Sequence, residues 1–242
     1  LEAAETTRRR FFQDAAHEIR TPLADIDATT SAVLDGVFPY EDRHLETIRT
    51  QSRLLGRIVD DLRTVSLADA GTLPLKLDRV DTDALLAAVA RDMEPRATAA
   101  GLTLTARSGG APAVTADPDR ARQVVSALVD NALRHAPSGG WVRLETRDEG
   151  PFVAIAVVDS GPGLADEDLA HLFDRFYQAD PARDRTTGTS GLGLAIVRAL
   201  VEAQGGTVEA ANEPGAGARF EVRLPTAGAP GGASAPAPSA ER

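Results

Sequence analysis

The chain lacks cysteine altogether and has a single lysine, Lys76, among its 242 residues. The absence of cysteine excludes disulfides, thiolate zinc sites and cysteine nucleophiles. A basic excess is missing as well, because 26 lysines and arginines stand against 36 acidic residues and leave a net charge of −10. A nucleic acid partner normally requires a basic face, so we expect no binding to nucleic acid. No apolar run reaches the roughly 18 residues that a membrane helix needs, so we expect this chain not to span a membrane.

The N-terminal part repeats apolar or small residues every three or four positions, which is the pattern of one packed helical face. The repeat comprises Phe12, Ala16, Ile19, Leu23, Ile26, Thr30 and Val33. Gly36 and Pro39 interrupt it, and a second repeat runs from Leu45 to Val65. Two helices with one apolar face each cannot enclose a core. We therefore predict a homodimer through residues 1–70 that completes a four-helix bundle, with docking of the hairpin on its own chain as the alternative.

Beyond Gly71, short strands alternate with helices. Strands are predicted at 75–80, 102–108, 114–116, 141–147, 152–158, 207–211 and 218–224, and helices at 82–100, 118–135, 167–173 and 191–204. Asp81 is suited to cap the first of these helices, and Pro118 to begin the second. This order predicts an α/β sandwich over 71–226, one sheet with helices on one face. Residues 227–242 are poor in large apolar groups, and we predict a disordered tail there.

His17 lies at the centre of the string FFQDAAHEIRTPL. On a helix it comes directly after Ala16, at the edge of the packed face, with Asp14 on its own surface patch and Glu18 about 100° round the helix. Neutral imidazole is a nucleophile at neutral pH, and a carboxylate can accept its other ring proton. Pro22 cannot donate to the carbonyl of Glu18, which predicts a kink just past the histidine. An isolated histidine in such a place would be an ordinary half-exposed helical residue.

The helix predicted at 118–135 has a polar edge, because Asn131 and His135 lie one turn apart. A carboxamide oxygen there could complete the shell of a Mg²⁺ ion whose other ligands are phosphates and water. The alternative is a plain C-terminal cap, in which Arg134 and His135 match the helix dipole.

A buried strand ends in Asp159, with Gly161 and Gly163 just beyond it. Such a carboxylate can accept the exocyclic amine of adenine, whereas guanine presents an oxygen that it would repel. A tight turn without a ligand is the alternative.

Three glycines, Gly188, Gly191 and Gly193, lead into an apolar helix, whose unpaired amides favour phosphate. A dinucleotide fold is excluded, because Ile196 replaces the third glycine of its fingerprint. A P-loop needs a lysine beside these glycines, and Lys76 is far away in the sequence.

These strings, in this order, resemble the catalytic core of bacterial two-component sensor histidine kinases. The heptapeptide from His17 to Leu23 resembles the phosphoacceptor box, and the Asn131 helix the N box. The Asp159 loop is similar to the G1 box, residues 173–177 to the F box and 188–197 to the G2 box. The resemblance covers nearly everything from residue 11 to 225. It implies a dimerising phosphoacceptor hairpin joined to an ATP-binding domain of the Bergerat (GHKL) fold.

The resemblance also implies the roles of single residues. His17 would attack the γ-phosphate of ATP, with Glu18 as proton acceptor, and Thr21 would orient water when the hairpin dephosphorylates its regulator. Asn131 would hold Mg²⁺. The contacts with ATP would come from Asn131, Arg134, His135, Asp159, Gly161, Gly163, Gly188, Gly191 and Gly193.

The polar stretch 175–190 would be a lid over ATP, in which Arg183 and Arg185 are candidates for phosphate contact and equally for a solvated loop. The implied partner is a response regulator, which receives the phosphoryl group on an aspartate. The implied location is the cytoplasmic side of a membrane-anchored sensor, with the anchor in segments outside this chain.

One position departs from the family pattern. Ala127 stands where these kinases usually carry a second asparagine and where ATP-hydrolysing relatives of the fold carry a water-activating glutamate. Without that glutamate the chain has no base to activate water, which argues against the first alternative, a GHKL-type ATPase. Ala127 supports the second alternative, a degenerate ATP-binding scaffold, which the intact His17, Asn131 and Asp159 oppose.

Overall fold

The computed structural model describes residues 2–179 and 191–228, with side chains from residue 13 onwards. The chain divides into two compact units, Leu1–Thr72 with His171–Ile196, and Leu73–Ala170 with Val197–Arg242. The helices, in chain order, are α1 Glu2–Leu34, α2 Asp42–Asp69, α3 Thr82–Ala99, α4 Pro118–His135, α5 Asp166–Leu169 and α6 Gly193–Ala203. The strands are β1 Asp78–Val80, β2 Thr103–Arg107, β3 Val114–Ala116, β4 Trp141–Asp148, β5 Phe152–Asp159, β6 Thr207–Asn212 and β7 Ala218–Pro225. No helix within 2–179 and 191–228 combines the length and apolar content needed to cross a bilayer.

Helices α1 and α2 form the predicted hairpin, and Gly36 has a φ of +71° where the chain turns. Of the predicted repeat on α1, Ile19, Ile26, Thr30 and Val33 are partly buried. Ala16 and Leu23 are exposed, and the residues just before them, Ala15 and Pro22, are buried instead. A hairpin covers only one side of each helix, so the neighbouring apolar stripe stays at the surface. Helix α1 continues through Pro22 as one helix.

The second unit is built on a five-stranded sheet of order β2-β4-β5-β7-β6. Only β2 and β4 run parallel, as expected when a long connection joins them, and the other neighbours are antiparallel. Helices α3 and α4 pack against one face of this sheet. The fully buried side chains between the layers include Leu86, Val89, Leu128, Leu144, Ile155 and Phe220. The predicted α/β sandwich is confirmed.

The other face of the sheet carries a network of arginines and glutamates. Glu221 on β7 is 6% exposed and pairs with Arg147, Arg219 and Arg223. Arg219 also reaches Glu145 on β4 at 2.8 Å. The stems of these side chains cover β5, which explains why its residues are buried on both faces.

Asp117 begins α4 and ties three segments together. Its Oδ1 accepts the amide N–H of Asp119 and Arg120 at 3.0 and 3.1 Å, so its side chain is the N-cap of the helix. Its Oδ2 accepts the amide N–H of Lys76 at 2.8 Å, and its own N–H donates to Oε1 of Gln204 at the end of α6. Because the Lys76 amide bonds to a side chain, the predicted strand 75–80 is reduced to Asp78–Val80.

Two further predicted boundaries differ from those of the structure. The helix predicted at 167–173 ends at Leu169, and turns follow it. The helix predicted from Gly191 begins at Gly193, because Gly191 has a φ of +64° that a helix cannot contain. Residues 229–242 of the predicted tail 227–242, and residues 180–190 of the predicted lid 175–190, lie outside the described residues.

Candidate phosphoacceptor and nucleotide sites

His17 is exposed on α1, as predicted. The hydroxyl of Thr21 donates to the carbonyl oxygen of His17 at 3.4 Å, one turn along the helix. Among the residues with described side chains, no hydrogen bond joins the imidazole of His17 to Glu18 or Asp14. The ring is therefore accessible to a large substrate from solvent.

Glu18 is half-buried beside His17. Burial raises the pKa of Glu18; a positive charge on His17 lowers it, and the carboxylate of Asp14 raises it again. A carboxylate with a raised pKa is a stronger base, which suits a proton acceptor. The chemistry fits the implied role of Glu18 better than the spacing on the helix does.

Asp159 ends β5 and is only 2% exposed. Its Oδ1 accepts the amide N–H of Gly161 at 2.7 Å and of Ala218 at 3.2 Å. Burial raises the pKa of Asp159, while these two amides and the charge of His135 oppose the rise. The carboxylate is thus held in a fixed orientation by backbone donors on one oxygen.

Gly161 and Gly217 allow this close packing around Asp159. A Cβ on Gly161 would lie 2.7 Å from Oδ1 of Asp159, and one on Gly217 would lie 2.4 Å from the same atom. The Gly217 amide also donates to the Asp159 carbonyl at 2.8 Å. Neither position leaves room for any other residue.

The C-terminal end of α4 reaches the same loop. A Cβ on Gly161 would be 3.1 Å from the carbonyl oxygen of His135, the last residue of the helix. Asn131 lies one turn earlier and is half-buried, as is Ala127 one turn before it. The structure therefore brings His135 to the loop that contains Asp159, and Asn131 and Arg134 lie on the same C-terminal part of α4.

The candidate glycines near α6 are described in the other compact unit. Gly191 accepts the amide N–H of Phe176 at 3.0 Å, and a Cβ on it would lie 2.7 Å from the Phe176 backbone. Phe176 has a φ of 61°, the one positive value at a non-glycine residue in 2–179 and 191–228. Gly193 is exposed at the start of α6. Gly188 lies outside the described residues.

Sequence reasoning missed two residues of this site. Asn212 ends β6, and its side chain bonds to both backbone groups of Leu164, next to Gly163. Gly217, in the connection from β6 to β7, is the second of these residues. Neither could be found from local spacing, because each contact joins residues at least 48 positions apart.

The polar groups present fit a magnesium ion held mainly by phosphates. No group of three or more histidines and carboxylates in the described parts of the chain could hold a metal ion by itself. One carboxamide, Asn131, is a suitable protein ligand for such an ion.

Two family models match the chain. Residues 7–71 match the His Kinase A (phospho-acceptor) domain, and residues 116–228 match the histidine kinase-, DNA gyrase B-, and HSP90-like ATPase. The signal transduction histidine-protein kinase BaeS of Escherichia coli is 35% identical over 225 residues, which are 93% of this chain and 48% of BaeS. The chain thus spans about half the length of this relative.

Solved structures agree with these matches. Histidine kinase AdeS of Acinetobacter baumannii superposes with a TM-score of 0.74 at 30% identity, over 87% of this chain and 98% of AdeS. Full-length ShkA in complex with AMPPNP gives a TM-score of 0.66 at 31% identity, over 88% of this chain and 45% of ShkA. With its phosphoacceptor hairpin followed by an ATPase-type sandwich, the chain belongs to the two-component sensor histidine kinases and comprises their catalytic core.

Proposed function

We propose that the chain transfers the γ-phosphoryl group of ATP to His17 and then to an aspartate of a response regulator. The observation that carries this proposal is Asp159, a buried carboxylate that two backbone amides fix at the end of β5 beside the C-terminal end of α4. A carboxylate so held selects a donor such as the adenine amine. Family membership and the AMPPNP complex of ShkA support ATP as the nucleotide.

The predicted nucleotide-site residues then have distinct roles. Asp159 accepts the adenine amine, and the backbone of Gly161 and Gly163 allows the nucleotide to approach closely. Asn131 holds Mg²⁺, and Arg134 and His135 approach the phosphates. Bound Mg²⁺ neutralises phosphate charge, which is the main requirement of phosphoryl transfer. Gly188, Gly191 and Gly193 complete the phosphate contacts through backbone amides.

At the hairpin, a nitrogen of His17 attacks the γ-phosphorus in line. An N–P bond forms, the bond from the γ-phosphorus to the bridging oxygen breaks, and ADP leaves. Glu18, with its pKa raised by burial, takes the ring proton. In the opposing reaction, in which the hairpin dephosphorylates the regulator, Thr21 orients the attacking water.

We assign dimerisation and phosphotransfer to residues 1–70 and ATP binding to 71–226. Large apolar side chains remain exposed on the hairpin, among them Leu23 at 54%, Leu45 at 47% and Val59 at 54%. A second copy of the hairpin would cover them and complete a four-helix bundle, which supports a homodimer. The full-length protein is proposed to be a membrane-anchored sensor with this core on the cytoplasmic side.

Radiolabelled ATP tests the proposal with mixed dimers of His17→Ala and Asn131→Ala protomers. Each homodimer should incorporate no acid-labile phosphate, because one lacks the acceptor and the other the metal ligand. Label in the mixed dimer, confined to one protomer, shows transfer between subunits. If the mixed dimer takes up no label while the wild type does, transfer occurs within a subunit. Continuous phosphate release that His17→Ala leaves unchanged would instead identify an ATPase and refute the proposal.

A further inference from the structure

The side chain of Asn212 takes the place of a backbone partner for Leu164. Its Oδ1 accepts the amide N–H of Leu164 at 2.7 Å, and its Nδ2 donates to the carbonyl oxygen of Leu164 at 2.9 Å. One carboxamide thus satisfies both backbone groups of a single residue, as a neighbouring strand would. The Asn212 side chain therefore fixes the backbone of Leu164, although Leu164 belongs to no strand.

Gly163 is shaped for this contact. Its φ is +81°, and a Cβ on it would lie 2.6 Å from Oδ1 of Asn212. Only glycine combines that backbone conformation with so close an approach. The loop at 160–164 therefore rests directly on the Asn212 carboxamide.

The opposite end of the loop is anchored by the same connection between β6 and β7. Gly217 donates to the carbonyl of Asp159 at 2.8 Å and accepts the amide N–H of Glu213 at 2.9 Å. The connection from Asn212 to Ala218 thus grips both Asp159 and Leu164. Loss of the Asn212 contacts frees one end of the loop and leaves the other attached.

We propose that Asn212 is a positioning residue of the nucleotide site, which fixes the 160–164 loop in the conformation that receives the adenine nucleotide. This inference rests on the proposed function. Asn212 is exposed, so water can replace its hydrogen bonds in the folded protein. Its loss is therefore felt as poorer preorganisation for the ligand rather than as unfolding.

The test compares Asn212→Ala with wild type and with Thr207→Ala, an exposed position at the other end of β6. Calorimetry with Mg²⁺ and AMPPNP should give a Kd about tenfold higher for Asn212→Ala and unchanged for Thr207→Ala. The rate of His17 labelling at saturating ATP should stay within about twofold of wild type. Asn212→Asp, which keeps the acceptor for the Leu164 amide but sets an oxygen against the Leu164 carbonyl, should also bind more weakly.

A direct readout is hydrogen exchange at the Leu164 amide. Exchange in the nucleotide-free protein should speed up in Asn212→Ala while the melting temperature changes little. Equal Kd values for Asn212→Ala and wild type, or unchanged exchange at Leu164, would overturn the inference alone. A weaker Kd that follows a fall in melting temperature would reduce Asn212 to a structural residue. A wild-type core that binds no nucleotide would overturn both the inference and the proposed function.

Discussion

Replacing Asp159 by asparagine distinguishes the roles of its two carboxylate oxygens. Oδ1 holds the loop through Gly161 and Ala218, and an asparagine oxygen can accept both bonds unchanged. The second oxygen becomes an NH₂ group, which donates and cannot accept from adenine. Asp159→Asn should therefore keep the fold and lose the base contact.

The size of the effect follows from the kind of bond that is lost. A hydrogen bond to a charged acceptor contributes about 1.5–3 kcal/mol, and each ~1.4 kcal/mol is a factor of ten in Kd. Asp159→Asn should thus weaken ATP binding about 10- to 150-fold. Guanine presents an oxygen at that place, so the preference for ATP over GTP should fall by more than the affinity for ATP alone.

Stability provides the control for this substitution. Burial raises the pKa of Asp159 above its ordinary value of 3.8, so the folded state holds the proton more tightly than the unfolded chain does. Ionisation of Asp159 therefore lowers stability as pH rises through the raised pKa, and this loss persists at neutral pH. Asp159→Asn removes that penalty, and the nucleotide-free variant should melt no lower than wild type at pH 7.

Calorimetry with AMPPNP and GTP, together with thermal unfolding, checks both statements. An ATP affinity equal to wild type would refute the adenine role of Asp159. A much lower melting temperature of Asp159→Asn at pH 7 would refute the argument that the negative charge of Asp159 lowers the stability of the folded protein.

Two further substitutions test the framework of the site. Asp117→Ala should lower the free energy of unfolding in urea by about 2 kcal/mol, because it removes a helix cap and the acceptor of the Lys76 amide. Burial tends to raise the pKa of Asp117, but the amides of Lys76, Arg120 and Asp119 outweigh it and lower the pKa. The difference in the free energy of unfolding between wild type and Asp117→Ala should therefore shrink as the pH falls below the ordinary pKa of 3.8. A difference that does not depend on pH would contradict this. Gly217→Ala should abolish nucleotide binding, since its Cβ would lie 2.4 Å from Asp159 Oδ1, whereas Gly56→Ala meets no atom within 4 Å and should bind as wild type does. A nucleotide affinity of Gly217→Ala equal to that of wild type would contradict this, because it would show that the connection between β6 and β7 moves to accommodate the added Cβ.

Local signals predicted the elements that they control. Helix α4 has the predicted bounds, because a capping Asp117, a proline at the first position and basic residues in the last turn all act within the helix. The hairpin of β4 and β5 was predicted within a residue at each strand end for the same reason, since the alternation of apolar residues and the turn between them are local.

Tertiary partners decided what the sequence did not reveal. The strand predicted from residue 75 is shorter because the Lys76 amide bonds to Asp117, which is 41 positions away. On α1, Ala15 and Pro22 are buried in place of Ala16 and Leu23, because α2 covers only one side of a wide apolar stripe. Asn212 carries no local mark of its contact with Leu164. Each of these outcomes depends on residues far apart in the chain.

Glu221 makes the positions on the outer face of the sheet unequally sensitive to substitution. Three arginines, Arg147, Arg219 and Arg223, share this one buried carboxylate. Removing Glu221 alone would take away the buried carboxylate that the three arginines share and leave them only their more exposed acidic partners, such as Glu145 and Glu149, whereas removing one arginine leaves two that still neutralise Glu221. We therefore expect single substitutions of these arginines to be tolerated, and a substitution of Glu221 to be tolerated only together with changes at the arginines. This position on the outer face of the sheet is thus constrained in the way that buried positions usually are.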